Sequence, residues 1–208
     1  MTNKNLEFGN RAGMNVGMGS NLYLGLVHHP IYDKRKEVVA SAITNFDIHD
    51  IARCAKTFGI GGFFIITPLE SQVQLAERII HHWVEGAGSV YNPTRKESLS
   101  LARVSRTIDE ASREISDLWQ TKVKRVATGA SSHPRNIDFE FFGKLLKGSD
   151  TPFLILFGTG WGLTQEVKDG SDYVLAPIEG KGYNHLSVRS AVAIILDRLL
   201  GDRISSSE

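Results

Sequence analysis

The chain has 208 residues, with 24 lysines and arginines against 23 aspartates and glutamates, for a net charge of +1. That length can bury a sizeable core within one domain, and a composition 41% hydrophobic and 23% charged is ordinary for a globular protein. The balance excludes a histone-like polycation. There is no apolar run near the roughly 20 residues of a membrane span and no secretory signal pattern, and the single Cys54 fits a reducing cytoplasm.

Residues 1–20 hold four glycines and no apolar periodicity, so they read as a mobile leader. Residues 204–208 read as a frayed tail, and residues 21–203 as one domain without linker or repeat. Leu22 to Val27 is an apolar strand stopping before His28-His29-Pro30. Asp47 opens a helix with Ile48, Ile51, Ala52, Ala55 and Phe58 on one face, ended by Gly59. Phe63 to Thr67 reads as a strand stopped by Pro68, and Val73, Ala76, Ile79, Ile80 and Trp83 mark a second helix. Leu101, Val104, Ile108, Ala111, Ile115 and Leu118 alternate spacings of three and four, which predicts one long third helix. Strands follow at Val123 to Thr128, Phe153 to Phe157 and Tyr173 to Ile178, with a short helix over Phe139 to Leu146. The last helix, Leu186 to Leu200, is apolar almost all round, so either its own fold or a partner subunit must cover more than one face. Apolar strands alternating with helices predict an α/β fold with a mostly parallel sheet between helices.

The chemistry concentrates in glycine-rich segments after strands. In Leu154-Ile-Leu-Phe-Gly158-Thr-Gly160-Trp-Gly162-Leu163 the glycines let backbone amides approach a ligand. A tight turn that only reconnects the sheet would look the same. Ala176-Pro-Ile178-Glu-Gly180-Lys-Gly182-Tyr183-Asn184-His185 is a second such loop, and Thr128-Gly129-Ala130 follows the strand before both. At a parallel sheet, the three would converge at the carboxyl ends of the strands. A dinucleotide fold competes, because Glu179 lies about 20 residues after the glycines. Against it stand the Gly-x-Gly-x-Gly spacing, the late position, and only Leu163 to Lys168 for a crossover helix.

In the first half, Asn45 to Gly59 carries Asp50 and Arg53 three apart on a helix, where they can pair. This segment resembles the first motif of the SPOUT (trefoil-knot) RNA methyltransferases: an asparagine, then a helix with Ala-Arg-x-Ala ending at Phe-Gly. Phe157 to Leu163 is similar to their second motif. Ala176 to Ala191 is similar to their third, a Pro-x-x-Gly segment leading into a Ser-Leu-Asn-Val-Ser helix. The three motifs occur in family order across roughly residues 20 to 200. More narrowly, the chain is similar to a small bacterial group of SAM-dependent RNA methyltransferases related in name to the tRNA guanine-N1 methyltransferases.

The resemblance implies a SPOUT-type fold with a C-terminal trefoil knot and a homodimer formed through the knot helices. It further implies S-adenosylmethionine (SAM) as cofactor and tRNA or rRNA as substrate. Carried over by position, Thr128 and Gly129, then Gly158, Thr159 and Gly160, then Ile178, Gly180, His185 and Leu186 would hold SAM. Asn45, Arg53 and Ser187 occupy the catalytic positions. Two departures stand out. Thr159-Gly160 replaces the second-motif acid, and Ser187 replaces the third-motif asparagine, with Asn184 and Arg189 as its possible substitutes. Because a guanidinium rarely loses its proton, Arg53 is expected to stabilise an oxyanion or grip phosphate.

The adjacent pairs His28-His29 and His81-His82 do not share a face and lack a completing ligand set, which argues against a metal. Lys122, Lys124, Arg125 and Arg135, with Lys34, Arg35 and Lys36, form either a basic face for phosphates or a solvated surface. Two other functions stay open: a catalytically inactive RNA-binding module retaining the SAM pocket, and an NAD-dependent oxidoreductase.

Overall fold

The computed structural model describes residues 21–201. The leader assigned to residues 1–20 and the tail assigned to 204–208 lie outside them. Strand β1 (Leu22–Val27) is buried along its whole length. Leu22, Leu24 and Leu26 join one apolar cluster, while Tyr23 and Val27 join another on the opposite face. A strand covered on both faces must be apolar throughout, and that is why its sequence shows no alternation.

After the short antiparallel pair β2 (Ile31–Tyr32) and β3 (Val38–Val39) comes helix α1 (Asn45–Thr57). Thr44 caps it by accepting a hydrogen bond from the Asp47 amide at 3.1 Å, so the helix begins two residues before the acid that marks it in the sequence. Strand β4 (Gly62–Ile66) leads into α2 (Glu70–Val84), α3 (Ala87–Tyr91) and α4 (Pro93–Leu99).

The long third helix expected from Leu101 to Leu118 does not exist as one element. Its first part is strand β5 (Ala102–Ser105), parallel to β4, and the helix is α5 (Ile108–Trp119). Thr107 caps α5 by accepting from the Glu110 amide at 3.0 Å, and the Glu110 carboxylate accepts from the Arg106 amide. These two bonds fix the helix start and break the apparent periodicity. The second half adds β6 (Lys124–Ala127), β7 (Asn136–Ile137), α6 (Phe139–Lys147), β8 (Phe153–Gly158), α7 (Gln165–Asp169), β9 (Tyr173–Leu175) and α8 (Val188–Leu200).

Seven strands form one parallel sheet in the order β5-β4-β1-β8-β6-β9-β7. Residues of α1, α2, α4, α6 and α8 pack on one face, and those of α5 on the other. The predicted α/β layering with a mostly parallel sheet is therefore the observed one. In a dinucleotide fold the second-half strands add successively outward from the first one. Here β8 inserts between β1 and β6, and only the five-residue α7 follows its glycine loop. On α8, Val192, Ile195, Leu196 and Leu199 are buried and Ala191, Ala193 and Ile194 are half-buried, so the chain itself covers much of the apolar circumference.

Candidate functional site

Strands β8, β6 and β9 are parallel neighbours, so the loops leaving their carboxyl ends emerge side by side. The first loop begins at Thr128, whose amide and hydroxyl both donate to the Leu156 carbonyl, at 3.1 and 2.9 Å. Gly129 follows, with the flexible end of Lys168 and the Ser131 carbonyl at ordinary contact distance from where a Cβ would sit.

The second loop is held more tightly. A Cβ on Gly158 would stand 2.4 Å from the Leu163 nitrogen, so only glycine lets the chain fold back there. Gly160 and Gly162 have φ of +57° and +95°, conformations that favour glycine. Thr159 donates to the Val27 carbonyl from its amide and its hydroxyl, at 3.2 and 3.0 Å. The Trp161 amide donates to Tyr32 at 3.0 Å, and the Tyr32 amide donates to Gly162 at 2.9 Å, strapping the loop to β2.

The third loop spans residues 176–187 and reaches both of the others. The Asn184 amide nitrogen donates to the Ala130 carbonyl of the first loop at 2.8 Å. His185 stands edge-on to Trp161 of the second loop at 6.1 Å and to Tyr183 at 5.3 Å. Within this loop Gly180 makes a close turn, with the Tyr183 carbonyl 2.2 Å from where a Cβ would sit. Trp161, Tyr183 and Leu186 stay largely exposed around it, while Ile178 packs against the core. The nine sequence-predicted cofactor positions thus lie on three neighbouring loops, the third of which touches both of the others.

The positions on α1 are placed differently. Asn45 is exposed at the first turn, close to the loop end of the sheet. Arg53 is also exposed, but eight residues further on, about 12 Å down the helix axis. There it lines a groove of about 300 Å³ shared with α4. No hydrogen bond or ion pair among the described residues joins it to the three loops of its own chain. The i,i+3 pair expected between Asp50 and Arg53 is not formed: Asp50 lies 3.3 Å from the Arg189 guanidinium, whose Nε is also 3.5 Å from Asp47. A partner fixed by tertiary packing has displaced the one suggested by helix spacing. Ser187 is the N-cap of α8, accepting from the Ser190 amide at 3.3 Å.

Sequence reasoning missed a buried polar chain beneath the second loop. His28 Nδ1 lies 2.8 Å from the Ser41 hydroxyl, which lies 2.6 Å from the Thr159 hydroxyl. His28 is fully buried and its Nε2 has no partner among the described residues. Burial pushes its pKa down to about 4, against the opposing pull of Asp47, so it is neutral at pH 7. A histidine next to a strand-ending proline was the available signal, but Ser41 and Thr159 gave no hint of their contact.

The basic stretch is largely committed elsewhere. Lys124 pairs with Asp172 at 2.8 Å, Arg125 bonds Asp109 and the Ser112 hydroxyl, and Arg135 donates to the carbonyls of Lys168 and Asp169. A free phosphate-binding face over Lys122 to Arg135 is therefore not what the structure presents. Lys34, Arg35 and Lys36 remain exposed at the tip of the β2–β3 hairpin. His81 pairs with Glu85, and His82 stands edge-on to Trp83.

Residues 21–201 match the family model described as SAM-dependent RNA methyltransferase. The chain is 43% identical over 187 residues to a tRNA (guanine-N(1)-)-methyltransferase of Oleidesulfovibrio alaskensis, covering 89% of this chain and 43% of that protein. A probable methyltransferase from Bordetella pertussis Tohama I superposes with a TM-score of 0.60 at 16% identity, covering 88% of this chain and 95% of that one. The SpoU methyltransferase AviRb from Streptomyces viridochromogenes, in complex with the cofactor AdoMet, gives 0.52 at 20% identity, covering 88% and 58%. At these identities the two structures speak to fold. They place the chain's layered α/β architecture, with glycine loops at adjacent strand ends, in the fold these proteins share. The chain belongs to the SAM-dependent RNA methyltransferase family.

Proposed function

We propose that the chain is a SAM-dependent methyltransferase acting on a tRNA or rRNA nucleotide, working in the cytoplasm as a homodimer. The observation that carries this is the joining of three loops through the third, tied by Asn184 to Ala130 and by His185 to Trp161. The residues present fit such a cofactor. Gly158 and Gly180 let the main chain fold back on itself to shape the loops, Gly162 and Gly182 have nothing within 4 Å of where a Cβ would sit, and exposed Trp161 and Tyr183 offer ring faces for an adenine. Thr128 and Gly129, Gly158 to Gly160, and Ile178, Gly180, His185 and Leu186 would hold it. SAM, when bound, supplies an electrophilic methyl on its sulfonium. The chain's own groups then supply proximity and orientation.

Arg53 is the candidate group opposite the methyl. Its position down α1 supports delivery from the partner subunit, with the guanidinium staying protonated and stabilising developing negative charge. A partner would pack on the α1–α8 side, where Phe46 and Leu186 are exposed, and the trefoil knot belongs to the same proposal. No helix among the described residues is long and apolar enough to cross a membrane. The name of the O. alaskensis relative supports a tRNA substrate, although more than half of that protein lies outside the match.

One observation favours a second reading, a module that binds SAM and RNA without catalysis: Ser187 is used as a helix cap and Arg189 is bound to two acids. Incubation with radiolabelled SAM and total RNA decides. Label in one RNA class supports the enzyme; calorimetric SAM binding with no label in any class supports the module. No SAM binding at millimolar concentration, or binding of NAD instead, refutes both.

A further inference from the structure

We propose that the groove between α1 and α4 binds the sugar–phosphate backbone of single-stranded RNA flanking the modified nucleotide, with Tyr91 stacking on one of its bases. The proposal rests on the methyltransferase reading only in taking RNA as the partner. His49, Arg53 and Lys56 follow one another at i, i+4 and i+7, so they share the α1 face that packs toward α4. Arg53 and Lys56 line the groove on that side, and Asn92 and Arg95 line it on the other. Glu97 is the only acid in the lining, and it lies 2.8 Å from the Lys56 ammonium.

Among the described residues, neither Arg53 nor Arg95 has an ion-pair partner. Arg95 is nonetheless held in place, its guanidinium 4.6 Å from the centre of the Trp83 ring. Trp83 in turn meets His49 edge-on at 5.4 Å. His49 is buried, with its Nδ1 unpartnered among the described residues. Burial, reinforced by Arg95 and Arg53, holds its pKa below the ordinary value, so it adds no charge of its own. The groove is therefore a preorganised cationic channel rather than a solvated run of lysines.

An aromatic side chain stands next to it. Tyr91 is 87% and Val90 83% exposed, immediately before the groove residue Asn92. A cationic track with an adjoining exposed aromatic is the combination that holds single-stranded nucleic acid, with phosphates on the cations and a base on the ring. Because Arg53 belongs both to this groove and to the proposed catalytic set, the bound nucleotides adjoin the reacting one.

The test uses the full chain, a fluorescent 12-nucleotide oligouridine, and anisotropy titrations between 50 and 200 mM KCl. Lys56→Gln should weaken binding several-fold and reduce the salt slope by about 0.7. Tyr91→Ala should weaken it about 5-fold or more at every salt concentration. Glu97→Gln, which releases Lys56, should tighten it. All three positions are exposed, so melting temperatures should stay put. Wild-type binding in all three variants, or no RNA binding by the wild type, overturns the proposal. So does a Lys56 effect without a Tyr91 effect, which would mark a general anion surface or a protein contact. SAM calorimetry on the same samples separates the two claims. RNA effects without SAM binding would sink the methyltransferase reading and leave the groove standing.

Discussion

Replacing Gly158 by alanine tests whether the second loop is built for a ligand or merely turns the chain. The new methyl would lie 2.4 Å from the Leu163 nitrogen and 2.8 Å from the Gly162 carbonyl carbon, both backbone atoms. Relief therefore needs movement of about 1 Å in the main chain rather than a rotamer change. That movement is opposed on every side. Leu163 is buried, Thr159 is bonded to Val27, and residues 161 and 162 exchange backbone hydrogen bonds with Tyr32. Overpacking of about 1–3 kcal/mol, plus one lost hydrogen bond of about 1 kcal/mol, gives about 2–4 kcal/mol. For a domain of this size that lowers the melting temperature by roughly 5–15 °C. Gly143→Ala is the control: it lies within α6 with nothing within 4 Å of its added methyl. It should stabilise by about 0.5–1 kcal/mol. Thermal melts followed by calorimetric SAM titration at a temperature where both variants are folded complete the comparison. Gly158→Ala should lose SAM affinity at least tenfold while Gly143→Ala keeps it. A Gly158→Ala protein that melts within about 1 °C of wild type and binds SAM equally well would refute the reasoning.

His28 makes stability depend on pH. Its folded pKa of about 4 lies below the 6.5 of an exposed imidazole, so the unfolded chain takes up the proton first as pH falls. The associated stability is complete above pH 6.5 and is lost toward pH 4, amounting to about 3 kcal/mol. Urea midpoints at pH 7.5 and 4.5 should differ by more in the wild type than in His28→Gln; equal differences would contradict the assignment. Ser187→Ala removes the cap of α8 and should cost about 1 kcal/mol, while Ser187→Asn, which can also cap, should restore the melting temperature. Arg189→Ala should cost about 1 kcal/mol, discounted for the partial exposure of the pair. A double-mutant cycle with Asp47→Asn should show coupling; strict additivity would exclude the α1–α8 clamp.

Strand β8 was readable because it is buried along nearly its whole length, so an unbroken apolar run marks it, whereas β6 opens on Lys124 and Arg125 and shows its burial only at Val126 and Ala127. The merging of β5 with α5 shows the limit of periodicity. Leu101 and Val104 happen to continue the spacing of Ile108, Ala111 and Ile115, and only the Thr107–Glu110 capping pair marks the break. Hairpin β2–β3 has two residues per strand, too few for any pattern to show. The site divides the same way. The glycines at 158, 160 and 180 announce close backbone approach by their type and their place after strands. Contacts between distant positions had no such signal. Asp50 finds Arg189, 139 residues away, rather than Arg53 on the next turn. Lys124 and Arg125 are engaged by Asp172 and Asp109, which leaves little of the basic run for RNA.

Amide hydrogen exchange with and without saturating SAM tests the central claim most directly, because it reads all three loops at once. Protection should appear together in residues 128–130, 158–162 and 178–187, with no change in the α1–α4 groove until RNA is added. Protection confined to other segments, or none at all at millimolar SAM, would contradict a cofactor site built from these loops.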